Sequence, residues 1–528
     1  MLVLQNIKYS HPNKDVLFSD LSLTVNTQDK VALIGNNGTG KSTLLKLIAG
    51  ELQPQQGQLS SLATPYYIPQ LFGQYNHLTV AEALRIDVKL KALKAILEGD
   101  ASEENFTNLN DDWTIEERCA EALAYWQIED LDLSLKLERL SGGQKTKVFL
   151  AGLSIHQPEF ILLDEPSNHL DLAGRKLLYD FIQSTKSTLV LVSHDRTLLN
   201  LVDSVAELSR HGIKIYGGNY DFYKSQKTTE LNALNHDIQS KEKALRAAKE
   251  KARETQERKQ KLDNRGKAKQ EKAGVARIMM NKLRNSAENN SAKLKSVHAE
   301  KLDGLSHTLQ ELRDSVPDTD KIKFGFDASH LHKGKVLLSA EQLNYAFNEV
   351  PLWKRNLSFQ IQSGERVAIK GNNGSGKTTL IKLLLGELVP QHGKLVRAPF
   401  HAVYIDQDYS LLNKELSVYQ QAQIFNQSAL QEHEVKIRLS RFLFSQEYWD
   451  KPCSHLSGGE KMRLSLCCLS IQAKAPDLIL LDEPTNNLDI QNIEMLTAAV
   501  KAYRGTLLVV SHDQYFLEQI DIERFLSL

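Results

Sequence analysis

The chain has 528 residues, enough for two to four domains with substantial cores, and 41% of them are hydrophobic. It carries 65 Lys plus Arg against 65 Asp plus Glu, so any attraction to a polyanion must come from an uneven distribution of charge. The four cysteines (Cys119, Cys453, Cys467 and Cys468) lack C-x-x-C spacing. That argues against zinc or a disulfide framework and fits a reducing cytosol; neither a secretory leader nor an apolar run near about 18 residues is expected.

Residues 1–30 open with apolar positions Leu2, Leu4 and Ile7, consistent with strands. Val31-Ala-Leu-Ile34 reads as a buried strand and Thr43-Leu-Leu-Lys-Leu-Ile-Ala49 as a helix. Between them, Gly35, Asn36, Asn37, Gly38, Thr39, Gly40, Lys41 and Ser42 fit G-x-x-x-x-G-K-[ST], in the strand–loop–helix setting of a phosphate-binding loop. The glycines let backbone N–H groups turn inward, and the helix N-terminus favours an anion. Lys41 would reach the outer phosphates and Ser42 would hold Mg²⁺.

Thr64-Pro-Tyr-Tyr-Ile-Pro-Gln70 is a short strand closing on a glutamine. Residues 73–135 look mainly helical, with an acidic piece from Glu98 to Glu117 in which Trp113 is expected as a packing anchor. Leu140-Ser141-Gly142-Gly143-Gln144 opens another helix and offers a second anion-binding nest. Phe160-Ile-Leu-Leu-Asp164-Glu165-Pro166 is an apolar strand ending in two carboxylates. Asp164 is suited to holding Mg²⁺ through water, and Glu165 to polarising an attacking water. Ser193-His194-Asp195 closes the next apolar strand.

The second half repeats this order. Gly371, Asn372, Asn373, Gly374, Ser375, Gly376, Lys377 and Thr378 form a second phosphate loop, 336 residues after the first. Gln407, Ser457-Gly458-Gly459-Glu460, Asp482-Glu483-Pro484 and Ser511-His512-Asp513 follow. The offset is 318 residues for Asp164/Asp482 and His194/His512, and 316 for the Ser-Gly-Gly pair. The first half therefore carries about eighteen extra residues, an insertion falling within roughly 72–135. Five motifs in one order establish a duplication.

Together these residues resemble an ATP-binding cassette ATPase in two copies. The resemblance implies an α/β fold, two phosphate-loop cassettes in tandem joined by a helical, antiparallel coiled-coil linker. It divides the chain into a cassette over 1–224, a linker over 225–330 and a cassette over 331–528. It also implies head-to-tail pairing within a monomer, each Ser-Gly-Gly nest completing the ATP site on the other half. Site one would then use the loop from Gly35 to Thr43, with Gln70, Asp164, Glu165 and His194, capped by Ser457, Gly458, Gly459 and Glu460. Site two would use the loop from Gly371 to Thr379, with Gln407, Asp482, Glu483 and His512, capped by Ser141, Gly142, Gly143 and Gln144. Mg²⁺ would lie at Ser42, Gln70 and Asp164, and at Thr378, Gln407 and Asp482.

Two features narrow the resemblance to the F subfamily, soluble cytoplasmic twin-cassette proteins acting on the ribosome. One is Ser167-Asn168-His169-Leu170-Asp171 and its counterpart Thr485-Asn486-Asn487-Leu488-Asp489; the other is the long charged linker. Glu460 stands for the usual glutamine, and Asn487 for the histidine seen at His169. The adenine-stacking aromatic matches Phe347 in the second cassette; in the first, the position falls at His11, with Tyr9 two residues before.

Between Lys241 and Glu300 stand 18 Lys plus Arg against 8 Asp plus Glu, in a chain that is otherwise net acidic. Leu231, Leu234, Ile238 and Leu245 precede this run at helical spacing, and Leu302, Leu305, Leu309 and Leu312 follow it with coiled-coil steps. Asp263-Asn-Arg-Gly266 and Ala273-Gly274 are expected as breakers between two antiparallel helices. Lys261, Arg265, Lys267, Lys269, Lys272, Arg277, Lys282 and Arg284 crowd the tip, where spread cations without aromatics suit RNA backbone contact. The subfamily resemblance implies that this tip meets P-site tRNA and ribosomal RNA, to modulate translation or to protect it from ribosome-targeting antibiotics. The rival readings are the motor subunit of a membrane transporter and a DNA-associated cassette ATPase.

Overall fold

A computed structural model describes residues 1–11, 16–70, 72–209, 212–272, 296, 299–313, 332, 334–347, 349–472 and 474–528. The chain divides into two compact units, Met1–Phe222 with Ile322–Leu528, and Tyr223–Lys321.

In chain order the first half contains β1 (Leu2–Ser10), β2 (Val16–Val25), β3 (Lys30–Ile34), α1 (Lys41–Ile48), β4 (Gln56–Ser61) and β5 (Tyr66–Ile68). A helical layer follows: α2 (Val80–Ala83), α3 (Asp87–Leu97), α4 (Glu103–Leu109), α5 (Ile115–Tyr125) and α6 (Gly142–His156). Then come β6 (Phe160–Asp164), α7 (Leu172–Ser184), β7 (Thr188–Val192), α8 (Arg196–Leu199), β8 (Ser204–Ser209) and β9 (Gly212–Tyr216). The linker contributes α9 (Tyr220–Lys272) and α10 (299–313).

The second half repeats the plan, beginning with β10 (Val336–Asn344), β11 (Ala346–Phe347), β12 (Val350–Pro351), β13 (Leu357–Gln362), β14 (Arg366–Lys370) and α11 (Lys377–Leu385). It continues with β15 (His392–Arg397), β16 (Ala402–Ile405), α12 (Val418–Ile424), α13 (Glu432–Arg441) and α14 (Gly458–Ile471). β17 (Leu478–Asp482), α15 (Ile490–Ala502), β18 (Thr506–Val510), α16 (Gln514–Gln519) and β19 (Arg524–Ser527) complete it.

Each half has a small antiparallel sheet, β2-β1-β4 or β13-β10-β15, and a larger one, β5-β6-β7-β3-β8-β9 or β16-β17-β18-β14-β19. All neighbours in the larger sheets are parallel except the β8/β9 pair. Sequence pattern explains the difference. β6, β7, β17 and β18 are buried at every residue, as strands covered on both faces must be. β1 instead buries Leu2, Leu4 and Ile7, a step of two and then three. The odd step keeps one face because the register shifts between Leu4 and Ile7, where Asn6 has φ 52°. Gln342, φ 49°, does the same in β10. Between the sheets of the first half, Leu4, Ile7, Leu33, Leu44 and Val190 belong to one core; Leu338, Ile369, Leu380 and Leu508 belong to its counterpart.

The insertion is now located. Bridges pair Thr79 with Lys136 and Ser417 with Pro452, so the halves are 338 residues out of step at the first position and 316 at the second. The 22 extra residues are α3 and α4, which pack on each other ahead of α5; shorter additions in the second half reduce the net excess to the eighteen read from the motifs. Trp113 is not the anchor that its acidic surroundings suggested. It is 47% exposed and meets the half-exposed Phe106 edge-on at 6.2 Å, whereas Trp126 is fully buried with its indole N–H donating to Ser154 Oγ at 3.3 Å.

In the linker unit, α9 runs unbroken through Asp263–Gly266, contrary to the expected break. One glycine costs a helix interior only about 1 kcal/mol, and the surrounding Lys, Glu, Ala and Gln offset it. Ala273 and Gly274 lie outside the described residues. Leu309 is buried and Arg313 donates to Glu242 Oε1 at 2.6 Å, so α10 packs along α9. Lys261 and Arg265 are exposed on α9, and Lys267, Lys269 and Lys272 occupy its last turns. Arg277, Lys282 and Arg284 lie outside the described residues.

Candidate functional site

Both phosphate loops sit where a parallel strand hands over to a helix. Gly40 caps α1 at φ 96° and Gly376 caps α11 at φ 90°. A Cβ on Gly40 would lie 2.7 Å from Phe18 and Leu17, so both backbone and space demand glycine there. Lys41 Nζ donates to the carbonyls of Gly35 (2.7 Å) and Asn36 (3.1 Å). Lys377 Nζ donates to Gly371 O (2.8 Å), Asn372 O (3.2 Å) and His512 Nε2 (3.3 Å). Burial lowers the pKa of both lysines, with Glu165 and Glu483 pulling the other way. An anion entering either loop meets a cation held in place by the loop's own backbone.

The carboxylates stand at the ends of β6 and β17, one strand removed from the loop strand. Thr378 Oγ1 (3.3 Å) and the Tyr404 hydroxyl (3.0 Å) both donate to Asp482 Oδ2. In the first half Ser42 and Tyr67 also lie beside Asp164, but the buried Tyr67 hydroxyl makes no hydrogen bond. Sequence reading passed over these tyrosines; the signal was their shared place three residues before Gln70 and Gln407. Burial raises the pKa of both aspartates. Asp164 Oδ1 is buried without a hydrogen-bond partner. One hard carboxylate with a free oxygen beside a hydroxyl fits Mg²⁺, which takes few protein ligands and fills its shell with water and phosphate.

Glu165 and Glu483 carry φ values of 51° and 48°, a region costly for a residue with a Cβ. Their amides donate to Val192 O and Val510 O, each at 2.8 Å, which holds the bend. Burial raises the Glu165 pKa, with Asp164 adding to it and Lys41 opposing. Burial likewise pushes Glu483 up to about 7, against the attraction of Arg175 and Lys377. His194 Nε2 and His512 Nε2 approach the glutamates' Oε1 atoms at 3.2 Å. Neither oxygen has a partner with hydrogen-bond geometry, and burial keeps both imidazoles neutral, His512 down to about 4. These are close polar contacts between a carboxyl group and a neutral ring, not ion pairs.

Ser141 and Ser457 cap α6 and α14 in reciprocal boxes. Gln144 Oε1 accepts from the Ser141 amide (3.0 Å), and Glu460 Oε2 from the Ser457 amide (2.7 Å). An acceptor oxygen is all the position needs, so glutamate replaces glutamine without loss of the cap. Gly143 lies so near the opposite half that a Cβ would come within 3.1 Å of Asn373 Nδ2.

The halves meet across these motifs. The Asn37 amide donates to Asp489 Oδ2 (2.8 Å) and its side chain to Asn487 O (3.4 Å), while Asn373 Nδ2 donates to His169 O (2.8 Å). Two cavities result. One, of about 380 Å³, is lined by His11, Asn37, Gly38, Gly40, Lys41, Ser42, Thr43, Gln70, Asp164, Glu165 and His194 from the first half and Ser457 from the second. The other, of about 300 Å³, is lined by Ser141, Gly142 and Gly143 from the first half and Asn373, Gly374, Gln407, Glu483 and His512 from the second. Phe347 is 55% exposed and packs on Tyr345 at 5.1 Å; Tyr9 packs edge-on to His11 at 5.8 Å.

A family profile described as ABC transporter matches residues 18–168 and 354–486, one match per half. The chain belongs to this ATP-binding cassette family. It is a twin-cassette ATPase of the F subfamily, and its relatives align with nearly its whole length. The putative ATP-binding protein YdiF of Bacillus subtilis is 31% identical, over 98% of this chain and 79% of YdiF. The ribosome protection protein VmlR of the same organism is 30% identical, over 98% and 85%. ABC transporter F family member 5 of Arabidopsis thaliana is 28% identical, over 98% and 73%. Among solved structures, an archaeal ribosome recycling factor, aABCE1, in complex with the stalk protein aP1 shares the fold at TM-score 0.59 and 20% identity, covering 99% of this chain and 87% of that one. Among the described residues, no helix of this ATPase is long and apolar enough to cross a membrane.

Proposed function

We propose that this twin-cassette ATPase binds the ribosome while ATP holds its cassettes together, and that hydrolysis releases it. The observation that carries the reading is the pair of composite cavities: one lined by the first phosphate loop with Ser457 of the second nest, the other by Asn373 and Gly374 of the second loop with Ser141, Gly142 and Gly143 of the first nest. ATP in such a cavity makes contacts available only when the cassettes are closed, so it biases a two-state hinge toward closure. Similarity to VmlR, a ribosome protection protein, supports the choice of partner.

In this reading Lys41 and Lys377 bind the outer phosphates, and Glu165 and Glu483 accept a proton from the attacking water. His194 and His512, neutral and beside the glutamates, orient that water or the outer phosphate. Ser42 with Asp164, and Thr378 with Asp482, would hold Mg²⁺, which supplies charge neutralisation on the phosphates. Gln70 and Gln407 line the cavities from the strand edge, and His11 takes the adenine side of site one as Phe347 does in site two. The linker, with 18 basic against 8 acidic residues from Lys241 to Glu300, meets tRNA in the P site and ribosomal RNA by backbone neutralisation.

The test is co-sedimentation of the Glu165→Gln, Glu483→Gln protein with ribosomes. ATP-dependent pelleting at moderate salt is the expected result. Equal pelleting with and without ATP, or none, would overturn the ribosome reading while leaving the twin ATPase intact.

A further inference from the structure

The two cassettes are unequal at one buried cation. Arg175 lies in the first turn of α7, and its counterpart 318 residues later is Ile493, which is buried in the core of the second cassette. Arg175 is 8% exposed. Its Nε donates to Leu170 O at 3.2 Å, which fixes the stem against its own cassette. Its NH1 lies 3.5 Å from Asp195 Oδ2, an oxygen that also accepts from the Tyr179 hydroxyl at 2.6 Å. The remaining field of the cation crosses the interface: Arg175 lines the site-two cavity with Glu483 and His512. Burial works against its charge, but Asp195, Glu483 and Asp513 together keep it protonated.

Among the described residues the second cassette offers site one no cation at the matching position, and Arg175 is not part of the site-one ATP cavity, although it also lines a small cleft with Glu165 and His194 of its own cassette. In that cleft the opposite cassette presents Ile493, and Asp195 of the first cassette adds to the repulsion that Asp164 exerts on Glu165. Lys41 opposes the rise at Glu165, whereas Arg175 and then Lys377 oppose it at Glu483. An arginine held by backbone and carboxylate on its own side, with its charge delivered to the partner's catalytic pair, is a fixed electrostatic support.

We propose that Arg175 is a trans-acting positioning residue for site two: the first cassette supplies it to hold the Glu483–His512 pair, and the second returns no equivalent to site one. This inference rests on the glutamate assignments above. A purely structural role makes the opposite prediction, because Arg175 is anchored through Asp195, next to His194 of site one.

The experiment measures single-turnover ATP hydrolysis with each site isolated, site two in a Glu165→Gln background and site one in a Glu483→Gln background. Arg175→Ile, which copies the second cassette, is expected to slow site two by about 10- to 100-fold at saturating ATP, with site one within about twofold. Half-saturation by ATP should not change, and Arg175→Lys should recover part of the site-two rate. The intact site-one rate shows that the variant is folded. Loss at site one, or equal loss at both sites, would overturn the proposal. Should Glu165→Gln, Glu483→Gln without any Arg175 change still hydrolyse ATP at the parent rate, the glutamate assignment itself fails, which is a distinguishable outcome.

Discussion

Asp489 holds two backbone N–H groups at once, one in each cassette. Its Oδ1 accepts from Asn492 at 2.8 Å and caps α15, while Oδ2 accepts from Asn37 in the opposite phosphate loop at 2.8 Å. The counterpart Asp171 caps α7 through Gly174 at 2.9 Å, but the cross-cassette contact on that side is made by Asn373 to His169 O. Removing a cap costs about 1 kcal/mol. Removing a hydrogen bond to a charged acceptor costs about 1.5–3 kcal/mol, and the low end applies because water can reach the exposed Asn37. Asp489→Ala should therefore cost about 2.5 kcal/mol and Asp171→Ala about 1 kcal/mol. For a cassette of roughly 200 residues that is about 5–10 °C against 2–4 °C in melting temperature. Asp489→Asn keeps an acceptor for the cap and loses the charge, so it should fall between. Scanning calorimetry without nucleotide measures all three. Should Asp171→Ala lower the melting temperature as much as Asp489→Ala, the asymmetric contact, and with it the assignment of Asp489 to both tasks, would be wrong.

Glu483 gives a pH signature. Its pKa in the fold is about 7 because burial disfavours the carboxylate, against about 4.3 in an unfolded chain. The folded state therefore holds more protons between those values, and its stability is full below the unfolded pKa and declines as pH rises through 7. Glu483→Gln removes that decline and should raise the nucleotide-free melting temperature over wild type at pH 8 far more than at pH 5; a constant difference across that range would contradict the buried, proton-holding glutamate. A second contrast concerns the rear of the interface. Arg196 is 1% exposed, donates to Gln519 Oε1 at 3.0 Å and lies over the Tyr515 ring at 5.5 Å, while Glu494, 3.7 Å away, is 46% exposed. Arg196→Ala should cost about 2–3 kcal/mol through lost packing and bonding, and Glu494→Ala less than about 1 kcal/mol, by urea unfolding. Equal effects would mean that Arg196 acts only through that ion pair.

What the sequence disclosed were features whose cause is local. Gly40 and Gly376 are readable because a left-handed cap before a helix, tight against Phe18 or Leu352, excludes a side chain at that one position. The four buried strands are readable because burial on both faces leaves an unbroken apolar run. Arg175 was invisible for the opposite reason. Its meaning depends on Asp195 twenty residues later and on Glu483 in the other cassette, and nothing in Leu172-Ala-Gly-Arg175 signals either. Tyr404 escaped notice because a tyrosine in a strand ordinarily packs; only the fold brings its hydroxyl to Asp482. The misread break at Asp263–Gly266 has a related cause. Asp, Asn and Gly favour turns in isolation, but within a 53-residue helix their cost is spread over many favourable neighbours.

The same comparison explains why near-identical motifs make unequal sites. His169 and Asn487 occupy equivalent turns at φ 65° and 59°, and asparagine tolerates that conformation better than histidine. The short Asn487 side chain accepts from Asn168 Nδ2 at 3.3 Å, and its carbonyl accepts from Asn37, so one residue ties together both Asp-Glu-Pro turns and a phosphate loop. His169 fills the corresponding space with a ring, close enough to Gly142 that a Cβ there would come within 3.2 Å of its Cγ. The ring lines the site-two cavity beside the first cassette's nest, and Asn487 lines the site-one cavity beside Ser457. Duplication supplied two cavities of one plan, of about 380 and 300 Å³. His169, Asn487 and the single cation at Arg175 differ only where the cassettes cross, so inequality was introduced at the interface without disturbing either phosphate loop.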